Sequence, residues 1–329
     1  MGVRKYIFRN FAVRMEIRTN SIRAWVLAAR PKTLTAALIP IIVATPIAAA
    51  SKLCEWRAII ICALFAALMQ IAANLINDLI DFRKGTDRED RLGPERACAQ
   101  GWITPRAMRI GIAVTLVTAL AIGSLILIYG QWSTVNGQWS MANGQWSIVN
   151  GQWSMIILGG LCVLFAFLYT TILSYAGMGD LLVLMFFGLV PCCGTCFAAT
   201  GEISIESVIA GLICGILIDT LLIINNYRDR DTDRLNGKRT LIARLGERFG
   251  RYFYLGCGLT AWLLTLAFLP WHGLWPSIIT LPYLLLHLIT WHRMVSLRQG
   301  GALNGVLGLT SRNMFLFGLL LAASLCIQN

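Results

Sequence analysis

The chain has 329 residues, of which 57% are hydrophobic and only 13% charged, and its mean hydropathy is +0.67. That is too little charge to coat a water-soluble fold of this length, so the composition predicts a membrane protein. The net charge of +12 would suit a nucleic-acid partner, but the basic residues are gathered in short segments between apolar stretches, which points to a bilayer instead.

Residues 1–32 are basic and polar, and no small-residue cleavage site follows a short apolar core, so no signal peptide is expected. Nine stretches have about the length a helix needs to cross a bilayer: 33–50, 58–80, 108–129, 155–173, 180–200, 207–226, 252–269, 274–290 and 308–327. The predicted architecture is all-α and polytopic, one domain over residues 1–329, with no soluble domain attached. Between the third and fourth stretches lies an uncharged tandem repeat of seven residues, "GQWSTVNGQWSMANGQWSIVNGQWS", at 130–154. Its tryptophans could form a glycan or partner site, but a duplication in a tolerant loop, with indoles resting at the bilayer interface, is the simpler reading.

Segments 1–32, 81–109, 227–251 and 291–312 hold 26 of the 28 Lys and Arg, leaving Lys52 and Arg57 on the other side. The excess of Lys and Arg on cytoplasmic loops then predicts a cytoplasmic N-terminus, an outer C-terminus and residence in the cytoplasmic (inner) membrane. The ten cysteines mostly fall within spans, where they act as small apolar residues. A Cys193-x-x-Cys196 pair has no second pair or histidine cluster beside it, so redox or metal chemistry is not expected there. His272, His287 and His292 are scattered near span ends and read as interfacial.

Span two closes on "QIAANLINDLIDFRKGTD", and Asn74, Asn77, Asp78 and Asp81 fall at i, i+3, i+4 and i+7, one face of a helix. In span six, Asn225, Asn226, Asp229 and Asp233 follow nearly the same spacing, and both sets belong to the same side of the membrane. Four carboxylates converging there need a cation. Magnesium prefers carboxylate oxygen and is usually shared with substrate phosphates, and Arg83, Lys84, Arg228, Lys238 and Arg239 are placed to hold the remaining phosphate oxygens. A surface network of ion pairs capping helix ends is the bland alternative. Asp219 stands apart in the middle of span six, where a charge is expensive; a protonated, hydrogen-bonded acid is expected.

Asn74-x-x-x-Asp78-x-x-Asp81 and Asp229-x-x-x-Asp233 resemble the paired aspartate motifs of the UbiA superfamily of intramembrane prenyltransferases, and the likeness covers nearly all nine spans. The stretches "ARPKTL", "NDLIDFRKGTD", "GMGDLLVLMFFG" and "NNYRDRDTDRLNGKRTLIARLG" resemble the branch that prenylates 1,4-dihydroxy-2-naphthoate. The repeat is not expected from the family.

The resemblance implies nine helices around a central cavity with both motifs at its cytoplasmic mouth. It also implies transfer of a polyprenyl chain from its diphosphate to the naphthoate ring, with loss of diphosphate and carbon dioxide, to give demethylmenaquinol or demethylmenaquinone. Asp78, Asp81, Asp229 and Asp233 would hold Mg2+, which stabilises the charge developing on the leaving diphosphate. Asn74 and Asn77 would position metal waters, or simply join helices. Phe165, Phe167, Phe186 and Phe187 are candidate walls for the isoprenoid tail. Arg30 and Lys32 are candidate partners of an acceptor carboxylate, and Tyr169 or Tyr175 of a phenol. The runners-up are prenylation of 4-hydroxybenzoate, homogentisate or protohaem and, from another class, a cation-coupled transporter. Transporters usually place such carboxylates near the midplane, whereas here all but Asp219 sit at span ends.

Overall fold

A computed structural model describes residues 17–85, 92–131, 140–142, 145–147, 151–169, 173 and 175–327. Its first span is made of two helices. α1 (Ile22–Ala29) starts on Ser21, whose Oγ accepts the Ala24 N–H at 3.3 Å. Pro31 disfavours right-handed helix at the residue before it, and the chain breaks at Arg30 (φ 53°) before a 3₁₀ turn (Pro31–Thr33) leads into α2 (Leu34–Ala49).

α3 (Trp56–Lys84) returns to the basic face, and the predicted end at residue 80 is passed because the acidic motif is itself helical. At its other end Glu55 grips Arg57 at 2.8 Å through both Nε and Nη2, and that hydrogen-bonded guanidinium holds the carboxyl down at about 2. α4 (Pro105–Ser124) and the single turn α5 (Ile126–Tyr129) go out, and α6 (Gly151–Leu168) comes back. The fifth span is α7 (Gly179–Leu184), a π turn (Met185–Leu189) and α8 (Val190–Thr200). α9 (Ile205–Leu235) runs unbroken for 31 residues through the second acidic motif. α10 (Leu241–Leu263), a 3₁₀ stretch and α11 (Leu269–His272) form the seventh span, followed by α12 (Trp275–Leu297) and α13 (Leu303–Leu325).

Among the described residues, eight segments are helices long and apolar enough to cross a membrane. The ninth expected span, α6, is shorter, with its apolar part at Gln152–Leu168. It lies between α4, which starts at the basic face, and α7, which starts there again, so the described residues make nine passes. The departure from all-α is a three-stranded antiparallel ribbon on the opposite face. β1 (Ser140–Ala142) and β2 (Gln145–Ser147) come from the repeat, and β3 (Glu202–Ser204) pairs with β2.

α9 is the central post. Two-thirds (67%) of its most apolar stretch is buried, against 17% for α4, which faces outward. Ile213, Leu217 and Ile218 pack with Ile39, Val43, Phe317 and Leu321 from α2 and α13. Between membrane helices the lipid offers an equally apolar alternative, so close backbone approach and polar pins carry more of the association than apolar area does. Gly188 in the π turn shows this: an added Cβ would lie 2.4 Å from the Gly211 carbonyl and 2.6 Å from Gly215 Cα.

The histidines read as interfacial divide. His292 is exposed, but His287 is buried between the rings of Tyr254 and Tyr283. His272 is buried too, joining the Ile327 carbonyl (2.9 Å) to Glu206 Oε1 (3.0 Å). Polar ring atoms inside a bundle stay there because neighbouring helices satisfy them. Cys193 and Cys196 hold no group in common: Cys193 Sγ accepts from Ser207 Oγ, and Cys196 Sγ donates to the Ala44 carbonyl.

Candidate active site

A cavity of about 710 Å³ opens at the basic face and runs between α2, α3, α4, α6 and α9. Its mouth is polar, lined by Arg30, Asn74, Asn77, Arg96 and Asn225, and its depth is apolar, reaching Leu120, Ile126 and Leu158. Phe165, Phe186, Phe187 and Tyr169 form part of the wall as expected, with the Phe165 and Phe186 rings 4.7 Å apart. Phe167 does not; it is 38% exposed on the outside of α6. Two residues along a helix turn a side chain through about 200°, so Phe165 and Phe167 cannot share a face.

The two acidic motifs end α3 and α9 at this mouth, but the aspartates stand behind the cavity wall. The residues that reach it from these motifs are Asn74, Asn77 and Asn225. Asn74 joins helices: its Nδ2 donates to the Ala29 carbonyl and to Thr33 Oγ1, both at 2.9 Å. Gln70, one turn earlier, donates to the same hydroxyl at 3.2 Å. Together they fix the break in span one and so place Arg30 at the mouth. Lys32, paired with Arg30 in the sequence reading, is exposed and is not on the wall.

Asp78 has an occupation that the sequence did not suggest. It is 1% exposed, and its two carboxylate oxygens accept the backbone N–H groups of Ala97 (2.8 Å) and Cys98 (2.9 Å). These belong to a strap, residues 92–104, that links α3 to α4. Ala97, Cys98 and Ile103 of the strap are buried with Ala24, Leu75 and Leu79. The strap delivers Arg96, whose Nη2 lies 2.7 Å from Asp81 Oδ2. Pro94 and Arg96 close one side of the mouth.

On α9, Arg228 is 3% exposed and is not available to phosphate in the way the sequence suggests. Its Nε and Nη2 hold both oxygens of Asp229 (2.7 and 2.5 Å), Nη2 also donates to Asn225 Oδ1 (2.7 Å), and Nη1 donates to Asn304 Oδ1 (2.8 Å). It ties the motif to α13. Asn226, the partner of Asn225 in the motif, is buried in the bundle. Lys238 Nζ lies 3.7 Å from Asp233 Oδ1, while Asp233 Oδ2 is buried with no hydrogen-bond partner among the described residues.

Arg239 and Arg83 are exposed at the rim. The Arg239 N–H donates to the Tyr175 carbonyl, and Lys84 Nζ sits 4.0 Å above the Tyr175 ring, so Tyr175 belongs to the rim and not to the wall. Gly177 makes that approach possible: at φ +83°, an added Cβ would fall 2.2 Å from the Arg239 carbonyl. Asp219 is buried mid-span, off the cavity wall, and its Oδ1 has no hydrogen-bond partner among the described residues.

A match to the UbiA prenyltransferase family extends over residues 37–320. The chain belongs to that family. Among curated relatives of this UbiA chain, 1,4-dihydroxy-2-naphthoate octaprenyltransferase of Escherichia coli K12 is 33% identical over 266 residues, covering 79% of this chain and 81% of that one. The protein of the same name from Mycobacterium tuberculosis is 30% identical, over 76% and 80%. Among solved structures, a UbiA homologue from Aeropyrum pernix superposes with a TM-score of 0.62 at 17% identity, covering 88% of this chain and 97% of that one. A UbiA homologue from Archaeoglobus fulgidus bound to GPP and Mg2+ superposes with a TM-score of 0.60 at 14% identity, covering 91% and 99%. These likenesses confirm the fold expected from the motifs.

Among the described residues no three acidic, thiol or imidazole side chains are gathered closely enough to hold a metal ion. The expected convergence of four ligands is not present, because each carboxylate is neutralised locally: Asp78 by peptide N–H groups, Asp81 by Arg96, Asp229 by Arg228, and one oxygen of Asp233 by Lys238. The donor chemistry nonetheless fits magnesium. Asp81, Asp229 and Asp233 offer hard oxygens, and Asp233 Oδ2 is a buried acceptor without a donor. Asp78 already accepts one peptide N–H on each oxygen, which leaves it the second lone pair of each.

Sequence reading found the acids and the aromatic wall but missed Arg96, Thr33, Gln70 and Asn304. Gln70 lies one turn before Asn74 on the same face, a readable signal, whereas Thr33 lies beyond the break at Arg30 and shares no helix face with it. Arg96 and Asn304 carry none, because their partners are distant in sequence.

Proposed function

We propose that the protein transfers a polyprenyl chain from polyprenyl diphosphate to 1,4-dihydroxy-2-naphthoate, releasing diphosphate and carbon dioxide. The observation that carries this reading is the cavity itself: one polar end flanked by two acidic helix ends, continuous with an apolar depth far larger than an aromatic ring needs. The names of the curated relatives support the acceptor. The basic face is taken as cytoplasmic and the membrane as the inner one, on the distribution of Lys and Arg.

Asp81, Asp229 and Asp233 would hold Mg2+, which when bound supplies positive charge to the departing diphosphate. Lys238, Arg239 and Lys84 lie around the same rim and add fixed positive charge there. Asn77 and Asn225 present amides to the mouth and orient the head group. Phe165, Phe186 and Phe187 take the tail and keep water from the allylic carbon while its bond to the diphosphate oxygen breaks. Arg30 holds the acceptor carboxylate and Tyr169 its hydroxyl, presenting ring carbon 2. The new carbon–carbon bond forms at that carbon, the bond to the carboxylate breaks, and its electron pair returns to the ring. The product is a hydroquinone, so no oxidant is required.

The test is purified protein in lipid nanodiscs with Mg2+, a polyprenyl diphosphate and either 1,4-dihydroxy-2-naphthoate or 4-hydroxybenzoate. Prenylation of the naphthoate with release of labelled carboxyl carbon as CO2, abolished by EDTA and restored by Mg2+, is the expected result. Preferential prenylation of 4-hydroxybenzoate, or full turnover in excess EDTA, would overturn it.

A further inference from the structure

We propose that Arg96 binds the diphosphate of the prenyl donor, and that Asp81 parks its guanidinium at the mouth while no donor is bound. The inference rests on the diphosphate reading above.

Three observations lead to it. Arg96 is 7% exposed yet forms part of the cavity wall, whereas Asp81, its partner at 2.7 Å, stands behind that wall. A guanidinium thus lies between the acid expected to hold a cation and the space expected to hold the anion. Second, the strap is fastened on both sides of Arg96. Asp78 holds the N–H groups of Ala97 and Cys98, and Asn304 Nδ2 donates to the Leu92 carbonyl at 2.7 Å. Pro94 lies between these anchors, so the side chain is delivered to a fixed place. Third, Arg228 is consumed by Asn225, Asp229 and Asn304, so the guanidinium groups on the cavity wall among the described residues are Arg30, assigned above to the acceptor, and Arg96, a planar fork suited to phosphate oxygens.

A buried ion pair is a weak source of stability, because desolvation consumes most of the Coulombic gain. Two partners that can each take a better one on substrate binding are therefore inexpensive to separate. Asp81 serves either the guanidinium or a divalent cation, and Arg96 serves either Asp81 or the diphosphate. The donor complex satisfies both at once; a metal ion alone must compete with Arg96. This gives the variant two effects of opposite sign. Removing Arg96 should tighten binding of a bare cation and weaken binding of the diphosphate.

The experiment uses the full chain in nanodiscs, as wild type, Arg96→Gln and Arg96→Lys. Mn2+ binding without substrate is read by the loss of the free-ion EPR signal. Binding of a non-reactive prenyl thiolodiphosphate, and separately of inorganic diphosphate, is read at saturating Mg2+; the parent polyprenol, which lacks the head group, is the control. A hydrogen bond to a charged group corresponds to roughly 10–100-fold in affinity. In Arg96→Gln we expect the thiolodiphosphate and inorganic diphosphate to weaken by about that factor, Mn2+ to bind more tightly, and polyprenol to be unaffected; Arg96→Lys should lie between. Weakening of Mn2+, diphosphate and polyprenol together would mean that Arg96 only supports the strap, and unchanged diphosphate binding would mean that it does not touch the head group. Either outcome overturns the inference. Wild type that binds the thiolodiphosphate no better with Mg2+ than without it would instead bring down the underlying reading.

Discussion

Asn304 and Arg228 meet at 2.8 Å between α13 and α9, and the same amide reaches over to the strap through the Leu92 carbonyl at 2.7 Å. One side chain thus couples the second acidic motif to the segment that closes the first. Asn304→Ala removes both links without touching a carboxylate. The expected result is a KM for the prenyl diphosphate raised about tenfold, the worth of one hydrogen bond to a charged group, with kcat little changed. Steady-state kinetics over both substrates checks it; an equal fall in kcat would contradict it.

Asp233 and Asp219 are both buried acids of α9 with one oxygen lacking a partner, but only Asp233 is at the mouth. Asp233→Asn keeps shape and removes charge, so turnover should fall roughly 10²–10³-fold, as for loss of one electrostatic donor to the transition state. Asp219→Asn should cost little. Turnover normalised to protein in the membrane separates them, and the reverse ranking would favour a transporter with a working charge at the midplane.

Asp78→Asn should behave unlike Asp233→Asn although both stand in acidic motifs. An amide offers one acceptor where Asp78 uses two, so either the Ala97 or the Cys98 N–H faces a donor, at about 1–3 kcal/mol. We expect faster hydrogen exchange at residues 96–98, a raised donor KM, and an unaltered Mg2+ requirement. A shifted Mg2+ requirement with unchanged exchange would return Asp78 to the ligand set.

Deleting residues 137–150 removes two whole repeat units and with them β1 and β2, on the face opposite the mouth. Near-normal activity is expected. A loss of more than about tenfold at equal protein level, a change equivalent to about 1.4 kcal/mol, would assign the outer ribbon a part in the reaction.

What the sequence disclosed followed helical period. Asn74, Asn77, Asp78 and Asp81 lie on one face because α3 continues through them, and the same rule carries α9 past Asp229 to Asp233. What it hid depended on distant partners. Nothing periodic relates Arg96 to Asp81, 15 residues apart, or Arg228 to Asn304, 76 apart, so the occupations of Asp78 and Arg228 had to be seen in three dimensions. Charge and spacing can mark a carboxylate as valuable, but they do not tell whether a metal, a guanidinium or a peptide N–H holds it.

The strap ends where Thr104 caps α4, and α4 is the least buried of the eight long apolar spans among the described residues. A helix so placed adjusts its tilt when the hydrocarbon layer is thinner or thicker than its apolar length, and the segment carrying Arg96 is continuous with its first turn. On the proposal that Arg96 holds the donor, the membrane is more than a container for a greasy substrate: bilayer thickness would be an input to how firmly that donor is held.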